Sequence, residues 1–189
     1  MLKNIFKEKG LNWKKVYRKI KGLIIKTFIA VEKGMQEKHR HTYVNRNTFY
    51  ELYGFDVLIN NRMKPWLMEV NMCPSLNLKT SIDKKVKLPL LTDIMNLIGF
   101  TPYKAKAESS PNRYKYSNFK TESKRKEDIK DLSAENCVEK LNPEDWNILF
   151  EFDEEFHRKG NFERLFPNRE NVEKYSHFFM TQRYNNLLL

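Results

Sequence analysis

YELYGFDVLINNRMKPWLMEVNMCPS, residues 50–75, is the stretch whose reading decides the fold. From Phe49 to Ile59, β-branched and aromatic residues dominate and no proline intervenes, the composition of a largely buried strand. Asn60 to Pro65 break that strand with the turn chemistry of Asn and Pro. Trp66 to Asn71 reads as the return strand, and Pro74 keeps it short. Alternation along a strand places Glu69 and Asn71 on one face and Met68 and Val70 on the other. A turn centred on Arg62 and Met63 pairs Ile59 with Trp66 and sets Asp56 opposite Glu69. Directly opposed residues have Cβ atoms roughly 4.5–5.5 Å apart, and like charges there are destabilising. Two carboxylates and one amide converging in this way offer only oxygen. That donor set suits a hard divalent cation, and Mg2+ takes one or two carboxylates and completes its octahedron with water and phosphate oxygens. On the residues alone, a solvent-facing acidic pair on a hairpin is the favoured reading, because lone acidic pairs are common.

The local wording goes further. GFDVLI, KPWL and EVN at this spacing, followed by Pro74-Ser75, resemble the carboxy-terminal metal-binding hairpin of the tubulin–tyrosine ligase-like family, within the ATP-grasp superfamily. The resemblance runs from about Leu11 to Phe100 and again from about Leu141 to Leu189. It implies an α+β fold: the carboxy-terminal portion of an ATP-grasp domain, antiparallel strands with flanking helices, followed by a linker and a small helical tail. The corresponding expected boundaries are 1–103, 104–139 and 140–189.

Composition sets the outer limits. The 189 residues are 40% hydrophobic and 13% aromatic, enough for a core, and carry a formal net charge of +11. No apolar run approaches the roughly 18–20 residues of a membrane span, and the start has no signal-peptide core. A cytoplasmic protein is therefore expected. Cys73 and Cys137 lie far apart without metal-ligand spacing, which points to a reducing compartment. The positive charge asks for an acidic partner or a basic solvated surface. Nucleic acid is disfavoured, because the basic residues are scattered and no RNP, zinc-finger or helix-turn-helix pattern accompanies them.

In chain order, Asn12 to about Gln36 has helical periodicity, with Trp13, Val16, Tyr17, Ile20, Leu23, Ile24, Val31 and Met35 as its apolar stripe. Asn12 is its cap and Gly34 lies near its end. Lys26, flanked by apolar residues, reads as a buried or half-buried structural lysine. His39 and His41 read as loop residues in a charged junction. Ile82 to Ile98 forms a further helix, opened by Lys84, Lys85 and Lys87. Cations in a first turn oppose the helix dipole, which hints at a nearby anion. The resemblance implies that Lys87 holds the incoming amino acid.

From Tyr103 to about Glu139, alternating Lys, Arg, Glu and Ser with few aliphatic residues mark a linker. Tyr114, Tyr116 and Phe119 among its basic residues read as part of that linker, not as base-stacking platforms. Asn142-Pro143-Glu144-Asp145 opens a last helix with a cap, a proline at its first position and acids near its positive end. FERLFP, residues 162–167, and the RYNNLLL ending resemble the tail of the glutamylating branch of the family, favouring glutamate over tyrosine as the residue added.

The resemblance thus implies part of an ATP-dependent tubulin polyglutamylase of the microtubule cytoskeleton, including the cilium or flagellar basal body. Its partners would be the acidic tails of tubulin and free glutamate, and its cofactors Mg2+ and ATP. Asp56, Glu69 and Asn71 would hold the metal, and no residue would act as a covalent nucleophile. Glycine as donor, initiation against elongation, and the acceptor chain stay open. The upstream nucleotide-cradling residues of the family have no counterpart in these 189 residues, so no turnover is expected from them alone. A non-catalytic module that binds acidic microtubule tails and a nucleic-acid-binding protein are the rival readings.

Overall fold

The computed structural model describes residues 2–39, 50–99 and 141–179. The chain divides into two compact units, Met1–Asn77 and Leu78–Leu189.

In the first unit, α1 (Leu2–Glu8) leads through a tight turn into α2 (Trp13–His39). Gly10 makes that turn with a φ of 64°, a left-handed conformation that costs glycine little. Phe6 is buried and meets Trp13 edge-on at 5.1 Å, and Trp13 stacks on Tyr17 at 5.4 Å. Asn12 caps α2 as expected, accepting the N–H of Lys15 at 3.1 Å.

Three expectations for α2 change. Gly34 lies inside the helix without positive φ, so it forms no left-handed cap, and the helix runs on to His39. His39 is therefore helical, and His41 lies outside the described residues. Lys26 is exposed, its apolar neighbours notwithstanding. Ile25, absent from the expected stripe, is buried at 5% exposure beside Val16 at 2%. The two are half a turn out of phase on a helix of 3.6 residues per turn. Helix α2 packs on both α1 and the hairpin, so its buried residues do not fall on one line.

The hairpin joins β1 (Gly54–Ile59) to β2 (Pro65–Asn71) as a two-stranded antiparallel sheet. The strand begins at Gly54, not Phe49: Tyr50 to Tyr53 have no regular structure, and Phe49 lies outside the described residues. Gly54 is where the chain beyond β2 returns. A Cβ there would lie 3.2 Å from Cβ of Pro74, tighter than side chains normally tolerate.

In the second unit, α3 (Ser81–Ile98) begins at Thr80 and ends at Gly99, which adopts the left-handed conformation with φ 67°. Helix α4 (Pro143–Arg158) opens as expected on a reciprocal cap. Asn142 Oδ1 accepts the N–H of Asp145 at 3.0 Å, and Asp145 Oδ2 accepts the N–H of Asn142 at 2.9 Å. Asp145 is 2% exposed, a buried carboxylate made tolerable by that bond. Asp93 of α3 accepts two bonds from Asn161, from its backbone at 3.0 Å and its side chain at 2.9 Å, joining α3 to the turn beyond α4.

The FERLFP segment follows. Arg164 lies over the Phe152 ring at 3.5 Å and donates to the Phe152 carbonyl at 2.8 Å and to Glu155 at 3.2 Å. Asn168 caps α5 (Arg169–Tyr175), which passes into a 3-10 turn at Ser176–Phe178. Tyr175 is buried. The expected linker and the RYNNLLL ending fall outside the described residues. The mixed helix-and-sheet architecture agrees with the α+β expectation. Among the described residues no helix is long and apolar enough to cross a membrane.

Candidate functional site

The hairpin is built from its tip. Asn60 Oδ1 accepts the N–H groups of Arg62 at 3.0 Å and Lys64 at 2.9 Å, and its carbonyl accepts that of Met63 at 3.0 Å. This asparagine network carries Met63 into positive φ, 56°, which a branchless but bulky side chain adopts at a cost. Lys19 of α2 donates to the Met63 carbonyl at 3.2 Å and so ties the tip to the helix. At the base, Phe28 of α2 meets Tyr53 at 5.4 Å and Phe55 at 5.8 Å. The tip and the base of the hairpin are thus both fixed on one helix.

The register places Asp56 opposite Glu69, Phe55 opposite Val70 and Gly54 opposite Asn71, as the symmetry of the sequence predicts. Towards the tip it shifts: Val57 pairs with Leu67, Leu58 with Trp66 and Ile59 with Pro65, so the expected Ile59–Trp66 pair does not form. Met68 is the extra residue, a bulge at which two residues of β2 face one gap in β1. A bulge re-aims the side chains beyond it, and Trp66 now shares a face with Leu58, both exposed. Lys64 covers the Trp66 ring at 4.0 Å.

Asp56 and Glu69 are exposed and directly opposed, with Asn71 half-buried beside them. Asn71 Nδ2 donates to Glu69 Oε1 at 3.1 Å, which puts both on one face. Among the described residues, no cationic side chain pairs with either carboxylate. Nor do those residues contain three or more His, Cys, Asp or Glu grouped so as to hold a metal ion. An amide oxygen as third ligand falls outside such a cluster by definition. The three side chains fit a hard cation on their chemistry. All donors are oxygen, the two negative charges face each other without a cation from the described residues, and both carboxylates are exposed, leaving room for water and phosphate ligands.

The other predicted residue, Lys87, sits on α3 and forms an ion pair with Asp83, Nζ to Oδ1 at 2.8 Å. Thr80 and Asp83 form a capping box: Thr80 Oγ1 accepts the N–H of Asp83 at 3.0 Å, and Asp83 Oδ2 accepts the N–H of Thr80 at 3.0 Å. The hydrogen bond from Lys87, and then those from Thr80, lower the Asp83 carboxyl from 3.8 to about 2. The anion that the lysine-rich opening of α3 called for is Asp83. The signal was present as Thr80-Ser81-Ile82-Asp83, a Ser/Thr followed three residues later by an acid ahead of an apolar helix.

The sequence pattern of the Tubulin-tyrosine ligase family matches residues 2–110, more than half of the chain. This chain belongs to that family. It is 32% identical to a tubulin polyglutamylase of Caenorhabditis briggsae over 97% of its own length and 33% of the relative's. It is 29% identical to a tubulin monoglutamylase of Mus musculus over 98% of its length, covering 18% of that protein. With a tubulin polyglutamylase of Mus musculus it shares 30% identity over 97% of its length and 16% of the relative's. The chain thus spans a third or less of these curated relatives. Alignment over nearly its whole length includes the FERLFP tail as well as the hairpin. Cys73 lies just past the hairpin, exposed and as a free thiol.

Proposed function

We propose that this chain is the metal-binding, carboxy-terminal part of an ATP-grasp ligase that adds glutamate to glutamate side chains in the acidic tails of tubulin. The observation that carries this reading is the opposed Asp56–Glu69 pair, with Asn71 bonded to Glu69 and no cation from the described chain to offset it. Asp56 and Glu69 would hold Mg2+ through their carboxylates and Asn71 through its amide oxygen. The bound ion supplies neutralisation of the clustered phosphate charge of ATP. The remaining work of the hairpin is positional: Lys19 and Phe28 tie it to α2 and so fix the backbone from which the three side chains project.

The chemistry is phosphoryl transfer followed by aminolysis. A glutamate side-chain carboxylate of the acceptor takes the γ-phosphoryl group of ATP, giving an acyl phosphate and ADP. The amine of free glutamate attacks the carbonyl carbon, phosphate leaves with the electrons of its C–O bond, and the amine loses a proton. Lys87 would receive the carboxylate of the incoming glutamate. Residues 1–103 are then ligase domain, 104–139 a linker and 140–189 a helical tail, working at the microtubule cytoskeleton. That the relatives are polyglutamylases and a monoglutamylase favours glutamate as the residue added and leaves initiation against elongation open.

A second reading, a non-catalytic binder of acidic microtubule tails, draws on the net charge of +11 and the exposed Lys14, Lys15, Arg18 and Lys19 of α2. One experiment separates the two. Residues 11–100 replace the matching region of the nematode polyglutamylase, and incorporation of labelled glutamate into microtubules is measured. The ligase reading expects incorporation that Glu69→Ala reduces by more than about tenfold, the cost of one strong charged contact. A folded chimera that binds microtubules with or without Glu69 and incorporates nothing supports the binder instead.

A further inference from the structure

Helices α3 and α4 of the second unit each end near a left-handed glycine, and each glycine receives a charged side chain from the other helix. Gly99 closes α3 with a φ of 67°, and Gly160 follows α4 with a φ of 55°. A Cβ on Gly99 would overlap the guanidinium of Arg158, and a Cβ on Gly160 would overlap the carboxylate of Asp93. Helix α3 has no basic residue in its own last turn, so Arg158 brings from α4 the cation that a helix C-terminus favours. In return, Asp93 Oδ2 accepts the backbone N–H of Asn161 at 3.0 Å and its side-chain N–H at 2.9 Å, across 68 residues of sequence. The result is a reciprocal clasp with no room for a methyl group at either glycine.

Asp93 and Gly99 both belong to the far end of α3, and the middle of that helix is weakened twice. Pro89 stands inside it, has no N–H to give to the Lys85 carbonyl, and crowds that carbonyl with its ring. Thr92 Oγ1 donates to the Leu88 carbonyl at 3.1 Å, a back-bond of the kind that bends helices. Both features fall between the Asp83–Lys87 pair of the opening turns and the clasp of the closing ones. We propose that α3 is a hinged lever. Its half beyond Pro89 is locked to α4 by the clasp and moves with the tail, while its half before Pro89, capped at Thr80, keeps a direction of its own. Bending at residues 88–92 then changes the angle between the opening turns and the tail without breaking the Thr80 cap or the Asp93–Asn161 bonds. A load on the tail reaches the opening turns of α3 through that one joint. The inference needs neither a metal at the hairpin nor a ligand on Lys87.

The test is NMR measurement of backbone N–H residual dipolar couplings on the isotope-labelled 189-residue chain. In the unmodified chain, the amides of Leu91–Ile98 and those of α4 and α5 are expected to fit one alignment tensor, and the amides of Ile82–Leu88 a different one. Pro89→Ala restores the missing donor and brings both halves of α3 under one tensor. Gly160→Ala combined with Asp93→Ala takes α4 and α5 out of the tensor of Leu91–Ile98, while Cα chemical shifts show both helices still formed. Asp93→Asn keeps an oxygen acceptor for Asn161 and retains the shared tensor. Two results in the unmodified chain overturn the proposal without recourse to any variant. A single tensor over the whole of α3 removes the hinge, and separate tensors for Leu91–Ile98 and α4 remove the clasp. A helical double variant in which α4 still follows Leu91–Ile98 overturns it as well.

Discussion

Asp83 and Asp56 are both carboxylates on the surface of their units, and their surroundings are opposite. Asp83 receives a lysine at 2.8 Å and two hydrogen bonds from Thr80, and its carboxyl is lowered to about 2. Asp145, at the start of α4, is likewise held by the backbone N–H of Asn142. Asp56 faces Glu69 across the sheet, and no described residue offers either of them a cation. Among the described residues, the acids at the starts of α3 and α4 have a cation or backbone N–H as partner, and the hairpin pair has only the amide of Asn71 on Glu69. Acids of the first kind stabilise the fold. Acids of the second kind cost stability unless a cation offsets them.

The difference is broken most sharply by deleting one acid of each kind. Asp145→Ala should destabilise the chain by about 2 kcal/mol, because a cap is lost and the part-buried N–H of Asn142 is left without its acceptor. Urea denaturation reads that loss, and a change under about 0.5 kcal/mol would show the cap to be idle. Next in size is Met63→Gly at the hairpin tip. It should stabilise by about 1 kcal/mol, since glycine adopts the observed positive φ without the Cβ clash, and the same denaturation measurement checks it.

Asp56→Asn should raise the stability of the metal-free chain by a few tenths of a kcal/mol, relieving one like-charge opposition. A drop instead would mean that Asp56 has a stabilising partner in the chain. The smallest effect concerns pH. Because the folded Asp83 carboxyl is depressed, its contribution is present above the unfolded value of 3.8 and is lost as pH falls through about 2. Carboxyl-carbon NMR should place its midpoint near 2, and in Lys87→Met the midpoint should move up towards the ordinary range.

The sequence was legible where local rules act alone. Asparagine and proline chemistry located the hairpin turn, alternation put Glu69 and Asn71 on one face, and symmetry set Asp56 opposite Glu69. It was illegible where packing decides. No residue signals that Met68 bulges out and turns Trp66 over. That choice depends on how the sheet meets α2, as does the burial of Ile25 off the expected stripe. The late start of β1 has the same character, since the strand composition continues upstream to Phe49 while pairing begins only where β2 has a partner to give. Thr80 and Asp83 are a different case. Their spacing is a readable cap, masked by the run of lysines beside it.

We propose that Asp56, Glu69 and Asn71 form a divalent-cation site. Its most direct test is titration of the isotope-labelled 189-residue chain with Mn2+, a paramagnetic stand-in for Mg2+. The account predicts selective broadening of the backbone resonances of Asp56, Glu69 and Asn71, reversed by excess Mg2+ and absent in Asp56→Asn. Uniform broadening across the acidic surface, unchanged by Asp56→Asn, would contradict it and leave the pair as ordinary solvated acids.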